Sequence, residues 1–177
     1  MRQALTLHPD SVCAAVDSIH VDVVRTAGDV LGLRYVVSGR IGEIALPAPA
    51  ASARADRLWE HTCFEAFLGD EWGEAYAELN VSPSTEWGGY RFDSYREGMR
   101  QAAFPSPRIE VSAGPEQLGV KVALQLASSG RRRLGLSAVI EERDGRKSYW
   151  ALAHPPGAPD FHHRDCFAIE LAPAVQS

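Results

Sequence analysis

Residues 58–93 read LWEHTCFEAFLGDEWGEAYAELNVSPSTEWGGYRFD, and the alternation inside this stretch decides the fold. Side chains along a β-strand point to opposite faces in turn, so a period of two marks a sheet with one face on a core. Trp59, His61, Cys63, Glu65 and Phe67 share one side of a first strand. Leu58, Thr62, Phe64, Ala66 and Leu68 share the other, with Glu60 out of pattern. In a second strand Tyr76, Glu78, Asn80 and Ser82 oppose Ala77, Leu79 and Val81. In a third, Gly89, Arg91 and Asp93 alternate with Tyr90 and Phe92, after a Trp87-Gly88-Gly89 approach that admits another backbone or a ligand. Paired in this register, Glu65, Glu78, Asn80 and Arg91 make a polar cluster ringed by aromatic groups, which is the expected ligand floor. The register is the critical link, because a one-residue slip turns every side chain to the other face.

Strand signals continue on both sides of this centre. Gln3 to His8 reads as an edge strand. Ile19 to Thr26 and Asp29 to Gly39 form a hairpin about Ala27-Gly28-Asp29, and Ile41 to Leu46 is a short extended piece. Pro47 and Pro49 make 47–56 a surface loop. Ser94, with Glu97 three residues on, predicts one or two helical turns over 94–101, stopped by Pro105 and Pro107. Strands return at Arg108 to Ala113, Leu118 to Ala127 and Arg133 to Arg143. Asp144-Gly145 signals a two-residue hairpin into Lys147 to Leu152. Three prolines make 154–163 an irregular loop, and Asp165 to Leu171 closes the chain. Many short strands with turns between them, and no helix–strand alternation, predict an all-β protein: an antiparallel two-sheet β-sandwich of jelly-roll type with one concave face.

The 177 residues fit a single domain spanning 1–177. Eighteen basic against 23 acidic residues leave a mildly acidic surface with no electrostatic reason to bind nucleic acid. Arg131-Arg132-Arg133 reads as a solvated turn. The first residues lack the apolar core of a secretory signal, and no run of about 18 apolar residues occurs, so a cytoplasmic protein with no membrane partner is expected. Cys13, Cys63 and Cys166 show no CxxC spacing, and free thiols in a reducing compartment are expected. Oligomeric state is left open.

The strand Trp59 to Leu68, with its W-E-x-x-x-F-E-x-F-L pattern, the block Glu78 to Trp87, E-x-N-x-S-P-S-x-E-W, and the late DFHHRDCFAIEL resemble the DOMON-like superfamily. More narrowly they are similar to an uncharacterised bacterial group near the family 9 carbohydrate-binding modules. The resemblance spans Leu58 to Leu171. It implies a β-sandwich that binds a small ligand, with sugar and haem as the known classes, and it does not imply catalysis.

Two readings of the polar cluster follow from the residues. Paired charges can satisfy one another as a structural network, in which case the chain is a non-catalytic protein-interaction scaffold. Alternatively Glu65, Glu78, Asn80 and Arg91 hydrogen-bond the hydroxyls of a saccharide, while Trp59, Trp87, Tyr90 or Trp150 offers a ring face. The second is the expectation, with no catalytic residue and no cofactor assigned. Haem is the alternative cofactor, with Met99, His61, His154 and His162 as available axial ligands. A metal site at His162, His163 and Cys166 fails on geometry, because neighbouring strand residues point apart. Glu65 and Glu78 could serve as a glycosidase acid and base, but no further catalytic motif supports that role.

Overall fold

The computed structural model describes residues 1–70, 73–127 and 130–173. Within them the chain forms twelve strands: β1 (Arg2–Leu7), β2 (Val16–Arg25), β3 (Val30–Gly39), β4 (Cys63–Asp70), β5 (Tyr76–Val81), β6 (Trp87–Phe92), β7 (Arg100–Gln101), β8 (Arg108–Ala113), β9 (Gln117–Gln125), β10 (Arg132–Glu141), β11 (Lys147–Ala151) and β12 (Ile169–Leu171). All pairings between these strands are antiparallel, and no α-helix occurs among the described residues.

The expected pair of separate sheets is in fact one continuous sheet. Its order is β7-β6-β5-β4-β10-β11-β1-β2-β3-β9-β8, with β12 also paired to β10. The join is β1: Arg2 to Leu5 pair with β2, whereas Thr6 and Leu7 pair with β11. A strand that changes partner along its length bends the sheet there, and the two wings curl towards each other. Val21, Val23, Leu31, Leu33, Tyr35, Leu118 and Val120 from one wing meet Phe64, Ala66, Leu79, Leu136, Ala138 and Trp150 from the other in the main core. The Tyr35 hydroxyl crosses this core to donate to the Glu65 carbonyl oxygen at 2.7 Å. A buried hydroxyl needs such a partner, and this one ties β3 to β4.

The wing carrying β4 and β5 is buried on both sides. Every residue of β5 and all but the last of β4 are buried, although their sequence alternates. One face meets the opposite wing. The other meets a second apolar cluster of Phe67, Tyr76, Tyr90, Phe92, Val139, Ala151, Phe161, Cys166 and Phe167, supplied partly by the loop that follows β11. That loop closes down because Gly69 and Gly135 leave room for a ring. A Cβ at Gly135 would meet Phe167 at 2.7 Å, and one at Gly69 would meet the same ring at 3.0 Å.

Local expectations differ from the structure in six places, the first being that Arg132 and Arg133, expected in a solvated turn, are half-buried and open β10 opposite Asp70 and Gly69. Leu58–Glu60 is a 3-10 turn, so the central strand begins only at Cys63. Ile41–Glu43 is also a 3-10 turn rather than extended chain. The last strand is confined to Ile169–Leu171, after a 3-10 turn at Arg164–Cys166. The helical turns expected over 94–101 are absent: Arg96 and Gly98 take left-handed φ of 57° and 66°, the Asp93 amide donates to the Glu97 carbonyl, and β7 follows. Left-handed residues cannot continue a right-handed helix. Finally, the Asp144-Gly145 hairpin has three connecting residues. The Glu142 amide donates to the Arg146 carbonyl around Arg143, Asp144 and Gly145, whose φ is 86°.

Candidate ligand-binding site

The register of the central strands sets the floor of a pocket on the face turned away from the main core. Glu65 stands opposite Asn80, Phe67 opposite Glu78, and Glu78 opposite Tyr90. On the other side of β4, Glu65 stands opposite Ser137. Glu65, Glu78, Asn80 and Ser137 are therefore neighbours on one face, and all four are buried. The Ser137 hydroxyl donates to Glu65 Oε2 at 3.1 Å, and the Asn80 amide Nδ2 donates to Glu78 Oε1 at 2.8 Å. Neither carboxyl has a salt bridge to a guanidinium or ammonium group among the described residues.

Above this floor lies an opening of about 360 Å³, walled by Trp59, Phe92, Arg96, Met99, Val139, Tyr149, Pro159, Phe161 and His162. The 3-10 turn supplies Trp59, whose ring meets Tyr90 edge-on at 5.5 Å. Residues 94–99 supply Arg96 and Met99, and the loop after β11 supplies Pro159, Phe161 and His162. This loop is pinned by the Cys166 thiol, which donates to the carbonyls of Ala153 and Asp160 at 3.2 Å. His162 packs edge-on against Phe67 and Phe92, both at 5.1 Å.

The protonation pattern follows from the hydrogen bonds. The Arg96 backbone amide donates to the Tyr76 hydroxyl oxygen at 3.1 Å, so that hydroxyl is free to donate to His162 Nδ1 at 2.8 Å. A neutral imidazole then carries its proton on Nε2, which lies 4.0 Å from Glu78 Oε2. Burial, reinforced by Arg96, holds the His162 pKa down at about 4. Burial pushes both carboxyls up: Glu65 to about 8, with the charge of Glu78 adding to the effect, and Glu78 to about 7. Two carboxyls in one desolvated floor titrate as a pair, so near neutrality they hold a proton between them.

The sequence-derived residues divide into three groups. Trp59, Glu65 and Glu78 line the pocket. Asn80 and Tyr90 lie on the same face but behind it: Asn80 is fully buried, and Tyr90 donates its hydroxyl to Asp56 at 2.6 Å. Arg91, Trp87 and Trp150 are not brought to the site. Arg91 pairs with Ala77 and so points to the other face, where its nearest acid is Asp70 at 4.0 Å. Trp87 pairs with Val81, Trp150 pairs with Ala138, and both rings are buried in the main core. Of the alternative haem ligands, His162 and Met99 face the pocket. His61 instead contacts Glu141 at 2.7 Å, and His154 contacts the Thr6 carbonyl at 2.8 Å. His163 Nδ1 accepts from the Asp165 amide at the 3-10 turn, and no metal-ligand cluster with His162 and Cys166 occurs among the described residues.

Phe92, Arg96, Tyr149, Pro159 and Phe161 were not expected in the site. Tyr149 was legible in principle, because it is the partner of Val139 on the face opposite the apolar Leu136-Ala138-Ile140 row. The loop residues have no period that could have placed them.

No protein-family model matches the chain, and no curated protein matches it closely. Solved structures do. A candidate carbohydrate-binding protein from Bacteroides uniformis superposes with a TM-score of 0.65 at 16% identity, covering 94% of this chain and 83% of that one. A family 9 carbohydrate-binding module from Caldicellulosiruptor kristjanssonii, in complex with cellotriose, gives 0.52 at 10% identity over 86% of this chain and 74% of that one. The module in complex with glucose gives 0.50 at 10% identity, over 84% and 72%. At such identities the likeness is one of fold: an all-β curled sheet similar to the family 9 modules.

Proposed function

We propose that this chain binds a small saccharide or saccharide derivative in the pocket above Glu65 and Glu78, and that it does so as a binding protein without chemistry of its own. The observation that carries the reading is the convergence of an acceptor floor, Glu65 and Glu78, with four aromatic side chains, Trp59, Phe92, Tyr149 and Phe161, around one opening of ligand size. Saccharides present hydroxyl donors at their edges and C–H faces to rings, and sites for them combine a few convergent polar groups with apolar walls. The fold shared with sugar-binding modules supports the same reading. We further read the curled sheet as a jelly-roll sandwich of DOMON-like kind. The three unpaired thiols support a reducing, cytoplasmic setting, and the net charge of -5 supports a ligand other than nucleic acid.

Haem is the other ligand class that the DOMON-like resemblance of the sequence implies. His162 commits Nδ1 to Tyr76 and turns Nε2 to Glu78 at 4.0 Å, which leaves no room for a porphyrin plane between them. The residues as placed do not fit that group.

Calorimetric titration with glucose, cellotriose and a panel of mono- and oligosaccharides tests the proposal. A saturable heat that Trp59→Ala abolishes supports it. Absence of binding by every saccharide, or a Soret band with haemin, contradicts it.

A further inference from the structure

The floor of the pocket is rich in acceptors and poor in donors. Glu65 and Glu78 each have one carboxyl oxygen bonded, to Ser137 and Asn80, and the second oxygen of each has no hydrogen-bond partner among the described residues. Behind them Asn80, fully buried on the same face, spends its amide on Glu78 and leaves Oδ1 without a donor. A buried acceptor without a donor is destabilising, so a ligand that brings donors is favoured.

The charges facing this floor can be counted element by element. β4 and β5 contribute Glu65 and Glu78, with the Cys63 and Tyr76 side chains on the same face. β10 contributes only the neutral Ser137, and β11 contributes Tyr149. The loop after β11 brings neutral His162 and Asp160, and the turn at 94–99 brings Arg96. That one cation is held by Asp160 at 2.8 Å, and Asp160 also accepts from the Tyr95 hydroxyl at 2.6 Å. Arg96 and Asp160 cancel, so ionised Glu65 and Glu78 remain as a net negative floor. Around it stand Trp59, Tyr149 and Phe161, whose ring faces attract a cation.

We infer that the pocket selects an amine-bearing saccharide, whose ammonium group sits on the Glu65–Glu78 floor within the aromatic walls. The inference rests on the saccharide reading above and names the ligand class within it. A neutral sugar answers the aromatic walls but leaves two carboxyls sharing a proton. An ammonium group replaces that proton, adds charge-assisted hydrogen bonds and lets both carboxyls ionise. Binding is therefore coupled to proton release.

The experiment is a calorimetric comparison of glucose with 6-amino-6-deoxyglucose on the native protein at pH 7.5, where the carboxyl pair holds about one proton, in two buffers of different ionisation heat. One charge-assisted hydrogen bond corresponds to about tenfold or more in affinity. The amine is expected to bind at least about tenfold more tightly, with release of about one proton, and glucose with release of none. In Glu78→Gln the ratio of the two affinities is expected to fall towards one and the proton release on amine binding to be lost, whatever the variant's affinity for glucose. Equal affinity of the two sugars for the native protein, without proton release, overturns the inference and leaves saccharide binding standing. Binding of neither sugar overturns both.

Discussion

Asn80 stands directly across from Glu65 in the ladder between β4 and β5, yet it turns its amide along its own strand to Glu78, at 2.8 Å. That choice makes the two carboxyls unlike. Glu78 is held by a fully buried amide, whereas Glu65 has only the Ser137 hydroxyl. Removing the amide leaves Glu78 buried with less to stabilise its ionised form. Asn80→Ala is expected to cost about 1–3 kcal/mol in urea unfolding and to raise the Glu78 pKa further, read by carboxyl NMR titration. An unchanged Glu78 titration would show that the amide does not act on it.

The pH dependence of stability has a sign set by burial. Both carboxyls are raised above their unfolded values, so the folded state holds more protons than the unfolded one between about pH 4.5 and 8. Their contribution is complete below pH 4.5 and is lost as pH rises through 7 to 8. His162 acts in the opposite sense. Its depressed pKa contributes stability above 6.5 that is lost as pH falls towards 4. Stability should therefore rise by on the order of 2 kcal/mol from pH 8 to 6 and more shallowly below 6.5. Urea melts across this range check it, and the Glu65→Gln, Glu78→Gln double variant should flatten the slope above pH 6.5.

Gly135 and Phe167 control the loop over the site. A Cβ at Gly135 would meet the Phe167 ring at 2.7 Å and the Cys166 carbonyl at 3.2 Å. Phe167 in turn stacks on Phe67 at 5.7 Å, close to His162. Gly135→Ala is expected to cost about 1–3 kcal/mol, the usual range for overpacking, and to weaken ligand binding although it touches no ligand. Chemical denaturation and calorimetry on one variant separate the two effects.

Much of the fold was legible because it rests on alternation. The strands from β8 to β11 fall within a residue or two of their expected bounds, since β8, β9 and β10 carry an apolar row on one face and the Asp144-Gly145 turn bounds β11. Glu65, Glu78 and Asn80 were placed together correctly for the same reason. Arg91 was not, and the cause is physical. β6 is covered on both faces, so Tyr90 and Phe92 are the site-facing residues and polarity no longer marks the floor. Trp150 shows how one loop residue decides a register. A two-residue turn at Asp144-Gly145 would set it opposite Val139, on the site face, but the three-residue connection sets it opposite Ala138 in the core. Phe161 and His162 come from a loop without period, and only tertiary packing places them.

These corrections are themselves testable. Arg91→Ala should leave saccharide affinity within about twofold, because the side chain is half-exposed on the other face. Trp150→Ala should cost about 3–5 kcal/mol of stability as a buried ring in the main core. Loss of binding in a folded Arg91→Ala variant would return the polar cluster to the register expected from sequence.

The most direct test of the account is an amide and indole chemical-shift map of the protein titrated with a saccharide that binds. The account predicts saturable shifts at the Trp59 indole and at Glu65, Glu78, Tyr149, Phe161 and His162, with the Trp87 and Trp150 indoles unmoved. Shifts centred instead on the outer face of β2, β3 and β9, with the Trp59 indole unmoved, would contradict it.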